Sequence, residues 1–148
     1  MARSNPLPVR GYIKNCVTPN TYENQMSKTI LISDDSKSIR AVIGTVLKVA
    51  GYNIIEAGDG KEALDVLTSG KSVDLIITDL NMPNMNGIEF IWEARKLSDH
   101  VFTPICMLTT ESEQEKLEQG ESISTEAWIS KPIQPVKVLS IVQEIMPP

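Results

Sequence analysis

The chain has 148 residues, 41% of them hydrophobic and 22% charged, which is enough length and apolar content for one domain with its own core. A net charge of −5 argues against generic nucleic-acid binding, which needs a basic surface. No apolar run approaches the roughly 18 residues of a membrane span, no signal-peptide h-region opens the chain, and a single histidine, His100, without a Cys/His cluster speaks against a zinc site.

Residues 1–27 differ from the rest. They hold Pro6, Pro8 and Pro19, are rich in Asn and Thr, and show no sustained periodicity. They are expected to form a flexible leader or an artificial extension, with the domain at 28–148. Arg3, Arg10 and Lys14 against Glu23 give this leader +2, so residues 28–148 carry −7. Cys16 lies in the leader and Cys106 in an apolar run, a placement that predicts no disulfide and fits a reducing cytoplasm.

From Lys28 the pattern alternates. TILIS predicts a strand. SKSIRAVIGTVLKVAG follows, with Ile39, Val42, Ile43, Val46 and Leu47 at helical spacing and Gly51 as a stop. YNIIEA predicts a second strand and DGKEALDVLTSG a second helix, opened by Asp59 and closed by Gly70. VDLIITD and GIEFIWEARKL form the third pair, and TPICMLT is a fourth strand. ESEQEKLEQG is polar and only weakly helical, EAWIS is a short fifth strand, and PVKVLSIVQEIM closes as an amphipathic helix. Five strand–helix units predict an α/β fold, a doubly wound five-stranded parallel sheet covered on both faces by five helices. The near-continuous apolar strands agree, because parallel strands are buried on both sides.

In such a sheet every strand ends on the same edge, and ligands bind beyond that edge. The first strand ends in Asp34–Asp35, the third in Asp79, the fourth in Thr109, and the fifth just before Lys131. Three carboxylates and one ammonium leave two negative charges in a poorly solvated crevice, which a divalent cation would cancel. Hard oxygen donors suit Mg²⁺, which keeps waters and shares phosphoryl ligands. A phosphoryl group on Asp79 would then bring excess negative charge toward Thr109 and Lys131, turning chemistry into loop movement. Taken singly, each residue has an ordinary structural explanation: a helix cap for the Asp pair, a turn for Asp79, a strand end for Thr109, a surface lysine for Lys131. Their shared placement on one edge favours the joint reading.

The segments ILISDDS, DLNMPNMNG, MLTTE and SKP, in this order, resemble the receiver domain of two-component response regulators, nearest the single-domain chemotaxis type (CheY-like). The resemblance runs from about residue 28 to 146. It implies a flavodoxin-like sheet of order 2-1-3-4-5. It implies that Asp79 is the phosphoacceptor, taking a phosphoryl group from a histidine kinase or a phosphotransfer protein. Asp34, Asp35, Asp79 and the backbone carbonyl of Asn81 would hold Mg²⁺. Thr109 and Lys131 would bind phosphoryl oxygens, and the family often has this Lys–Pro bond in cis. Asn81 and Glu111 are positions that tune self-dephosphorylation in the family, although both also read as solvated loop residues.

Three departures from the family stand out. Trp128 occupies the place of a Tyr or Phe reporter, Thr110 that of a small residue beside the phosphoryl site, and the fourth helix has almost no apolar stripe beyond Leu117 and Ile123. Gly120 costs that helix about 1 kcal/mol against Ala, so a short or mobile helix is expected. The acidic residues Glu111, Glu113, Glu115, Glu118, Glu121 and Glu126 read as a solvated face, or as a surface for a basic partner.

The implied function is a phospho-switch that catalyses only its own phosphorylation and dephosphorylation. It would signal to a downstream output protein through the face of the fourth helix, fifth strand and fifth helix. With no output domain after the fifth helix, it would act through that partner, or serve as a phosphorelay shuttle, or be an isolated receiver of a larger regulator. A Mg²⁺-dependent phosphohydrolase is disfavoured, because that class often carries a second Asp where this chain has Asn81. A non-reacting pseudo-receiver is disfavoured by the intact Asp79, Thr109 and Lys131.

Overall fold

The computed structural model describes residues 27–120 and 125–147, and for residues 116–120 the backbone alone. The expected leader therefore falls, but for Ser27, outside the described residues. So do Cys16, Ile123 and Glu121, and the side chains of Leu117 and Glu118.

Among the described residues five strands and five α-helices alternate: β1 Thr29–Ser33, α1 Lys37–Val49, β2 Asn53–Ala57, α2 Gly60–Thr68, β3 Leu75–Asp79, α3 Gly87–Arg95, β4 Ile105–Thr109, α4 Glu111–Gly120, β5 Ala127–Ser130 and α5 Pro135–Ile145. A short 3₁₀ turn, Ser98–His100, precedes β4. All pairings are parallel, in the order β2-β1-β3-β4-β5. This is the flavodoxin-like order expected from the family resemblance.

Strand periodicity of two divides the core. Ile30, Ile32, Leu75, Ile77, Cys106 and Leu108 face one side, against Ile43 and Leu47 of α1 and Val138 and Val142 of α5. Leu31, Ile76, Ile105 and Met107 face the other, against Ala63 and Leu67 of α2 and Phe90, Ile91 and Ala94 of α3. Each fully buried aliphatic side chain contributes roughly 1.5–3 kcal/mol relative to exposure, so the three central strands anchor the domain. Tyr52, just before β2, ties that edge strand to the end of α5: its hydroxyl donates to the Met146 carbonyl at 2.6 Å, across 94 residues of chain.

Helix starts follow local chemistry. The side chains of Ser36, Asp59 and Asn86 accept from the N–H groups of Ile39, Glu62 and Glu89, and Asn86 and Glu89 complete a capping box. Gly51 and Gly70, at φ 105° and 89°, supply the left-handed turns after α1 and α2. The fourth helix, expected to be short or mobile, has ten described residues, against nine each in α2 and α3. Its start explains this: the Glu113 N–H donates to Thr110 Oγ1 at 3.2 Å and the Thr110 N–H donates to Glu113 Oε1 at 2.9 Å, a reciprocal cap that compensates for a weak apolar stripe. Gly120 is the last described residue of α4, and the residues that follow it, 121–124, lie outside the described ones.

Candidate functional site

The parallel register brings the strand ends together. Ser33 pairs with Thr78, Asp79 with Leu108, and Thr109 with Ser130. The residues just past these pairs, Asp34 and Lys131, therefore share one edge with Asp79 and Thr109.

Carboxylate oxygens of Asp34, Asp35 and Asp79 lie within 4.8 Å of one another. Asp34 and Asp79 are buried and Asp35 is exposed. Asp34 is held by its backbone and one oxygen: its N–H donates to the Ala57 carbonyl, Arg40 Nη1 donates to its carbonyl, and Oδ1 accepts from the Ser36 N–H at 2.7 Å. Its Oδ2 is buried with no hydrogen-bond partner. Burial pushes the Asp34 carboxyl up to about 6, with the Asp79 charge adding to the rise and the Ser36 N–H opposing it.

Asp79 Oδ1 accepts from the Leu80 N–H and from Lys131 Nζ, each at 2.8 Å. Burial pulls the Lys131 ammonium down. The Asp79 hydrogen bond and charge, helped by Asp34 and Glu113, outweigh it and hold the group above the usual lysine value. The Lys131–Pro132 bond is cis, as the resemblance implies, and the Lys131 N–H donates to the Thr109 carbonyl at 2.8 Å. Thr109 Oγ1 is buried and lacks a partner.

Two buried polar atoms without partners at one edge are costly, roughly 1–3 kcal/mol each. Their presence points to ligands that satisfy them. Three carboxylates grouped around a buried, uncommitted oxygen form a hard donor set that fits Mg²⁺ and not a soft-ligand metal.

The remaining site candidates divide. Asn81 sits in the loop after β3, and its side-chain amide donates to Glu113 Oε2. Among the described residues Glu111 makes no hydrogen bond to the site; the acid beside Asn81 is Glu113, two residues further along α4. Thr110 is exposed, and its hydroxyl caps α4 rather than closing over Asp79. Trp128 is half-buried and packs against the α2/α3 side of the core.

Sequence reasoning missed the supports. Arg40 bonds both the Asp34 carbonyl and Glu56, a link visible only once α1 lies beside β2. Ser33 Oγ contacts Met82 Sδ at 3.1 Å and the Asp59 carbonyl at 3.3 Å. Asn84, at φ 68°, donates to Asp59 Oδ2 at 2.7 Å, so the loops after β2 and β3 brace each other. Gly87 starts α3 against the Asp79 backbone: a Cβ there would lie 2.3 Å from the Asp79 carbonyl oxygen.

Comparison with known proteins agrees with this geometry. Residues 30–143 match the response regulator receiver domain family. The chain is 32% identical over 118 residues to a chemotaxis protein CheY homolog of Campylobacter jejuni, covering 79% of this chain and 91% of that protein. Among solved structures, it resembles the chemotaxis response regulator CheY4 of Vibrio cholerae, with TM-score 0.74 and 40% identity over 81% of this chain and 99% of that one. It also shares its fold with the receiver domain of sensor histidine kinase PA1611 from Pseudomonas aeruginosa, with TM-score 0.72 and 24% identity over 80% and 96% of the two chains. That structure has a magnesium ion coordinated in its active-site cleft.

Proposed function

The chain belongs to the response regulator receiver domain family, and from that premise we propose that its CheY-like phospho-switch runs on Asp79 as phosphoacceptor. The observation that carries this assignment is the Lys131–Asp79 contact of 2.8 Å at an edge where Asp34 Oδ2 and Thr109 Oγ1 are buried without partners.

Among the described residues, the hydrogen bonds to the Asp79 carboxylate, from the Leu80 N–H and Lys131 Nζ, fall on Oδ1. A carboxylate oxygen of Asp79 forms the new bond to phosphorus as the phosphorus–nitrogen bond of a kinase phosphohistidine breaks. The imidazole keeps the electron pair and takes a proton from solvent. Lys131 is released from Oδ1 as the carboxylate charge disappears and pairs with a phosphoryl oxygen. Thr109 donates its uncommitted hydroxyl to another. Mg²⁺, held by Asp34, Asp35, Asp79 and the Asn81 carbonyl, would supply charge neutralisation for the transferring oxygens. The protein's share is positioning and electrostatics, at groups already buried and oriented before the donor arrives.

The proposed output is a change in the α4–β5–α5 face, read by a protein partner. Its trigger is the roughly two negative charges of the phosphoryl group replacing the single charge of the carboxylate.

The direct test is intact mass after treatment with acetyl phosphate and Mg²⁺. Wild type is expected to gain one phosphoryl group, about 80 Da, and Asp79→Asn none. An unchanged wild-type mass across several small phosphodonors would overturn the assignment.

A further inference from the structure

Glu113 stands between the phosphoryl site and the output helix, and no family motif in the sequence singles it out. Its two carboxylate oxygens serve two different elements. Oε1 accepts from the Thr110 N–H, at the start of α4. Oε2 accepts from the Asn81 amide, in the loop that follows Asp79. The same residue's N–H is capped by Thr110 Oγ1. The first turn of α4 is thus tied to the β3–α3 loop through one side chain, and Thr110 directly follows the uncommitted Thr109.

We propose that Glu113 is a latch holding the first turn of α4 to the β3–α3 loop in the resting protein, and that a phosphoryl group on Asp79 opens it. This inference rests on the assignment of Asp79 as phosphoacceptor. Two forces act in the same direction. The phosphoryl group adds negative charge near a carboxylate that already feels the same lysine. Thr109, recruited by a phosphoryl oxygen, draws the backbone of Thr110 away from Glu113. With both donors lost, the cap of α4 comes apart and the helix start is free to move.

Alanine removes both acceptor oxygens, so Glu113→Ala opens both arms of the latch, whereas in Glu113→Gln a flip of the Asn81 amide preserves both contacts. Glu113→Ala also removes the opposing charge. Asn81→Ala removes one arm of the latch and leaves the charge.

The test uses the full chain with beryllofluoride and Mg²⁺ as the phosphoryl stand-in, following bound fluoride and the backbone amide of Thr110 by NMR. In wild type, the Thr110 amide is expected to be protected from exchange at rest and to lose that protection when beryllofluoride binds. In Glu113→Ala, the amide is expected to be less protected at rest, and beryllofluoride to bind about fivefold more tightly, since no latch has to break. In Asn81→Ala, resting protection should fall with a smaller gain in affinity. If wild type binds beryllofluoride while Thr110 stays protected, or if Glu113→Ala binds it no more tightly, the latch is wrong and the receiver chemistry stands. If wild type shows no bound fluoride, the phosphoacceptor assignment fails and the latch falls with it.

Discussion

Lys131 Nζ and Asp79 Oδ1 lie 2.8 Å apart although 52 residues separate them in sequence, and the aspartate side chain is 5% exposed against 25% for the lysine. The carboxylate is the buried member and the ammonium closes over it from the solvent side. A reaction that neutralises Asp79 removes the attraction that keeps the lysine there.

Asp79→Asn should therefore do more than abolish phosphoryl uptake. Lys131 loses the partner that holds its ammonium above the usual value, and its titration should move downward, measurable by NMR of the lysine side chain. A Lys131 signal that titrates identically in wild type and variant would contradict the pairing.

Asp34 makes the metal-free protein sensitive to pH. Its carboxyl is raised from 3.8 to about 6, so the folded state binds a proton more tightly than the unfolded chain. The stability that this proton confers is complete below about pH 4 and is lost as pH rises through about 6. The Asp34 contribution to the melting temperature of metal-free protein should thus fall between pH 4 and pH 7, and Asp34→Asn should flatten that part of the curve. Mg²⁺ should restore stability at pH 7 and do much less at pH 4.5, where it competes with the proton for the same oxygen.

Thr109→Val removes a buried hydroxyl that has no partner in the resting protein. Its stability should be unchanged or raised by about 1 kcal/mol, measured by urea denaturation. Beryllofluoride affinity should fall, because the donor proposed for a phosphoryl oxygen is gone. Loss of stability without loss of affinity would reverse the role assigned to Thr109.

Two glycine substitutions should diverge. At Gly87 an added Cβ meets the backbone of Asp79 and Leu80 at 2.3–3.2 Å, and neither can move cheaply. Gly87→Ala should cost about 1–3 kcal/mol and impair phosphoryl uptake by displacing Asp79. At Gly44, inside α1, the nearest atom is Ile54 Cγ2 at 3.6 Å, an ordinary contact. Gly44→Ala should stabilise the protein by up to about 1 kcal/mol and leave uptake unchanged. Thermal melts paired with intact mass decide both.

Cys106, buried in β4, should resist alkylation in the folded protein, since burial pushes its thiol up to about 12. Rapid labelling at neutral pH, measured by mass under native conditions, would mean that the β4 region opens far more readily than its buried strand implies.

Periodicity and punctuation alone determined the elements: β1 is Thr29–Ser33 as TILIS predicts, and the other strands differ from expectation by no more than two residues at either end. Alternating strands and helices also determined that Asp34, Asp79, Thr109 and Lys131 would reach one edge, because parallel strands all end on the same side. The strand order came from the family resemblance, since periodicity does not distinguish one parallel order from another. What only the tertiary structure decided is which side chains meet across that edge. Glu113 rather than Glu111 reaches Asn81, and Arg40 grips the Asp34 carbonyl, through contacts spanning 32 and 6 residues. The physical reason is that strand and helix signals are local and repeat along the chain, whereas a hydrogen bond between elements depends on helix rotation and loop path, which packing sets and no local pattern records.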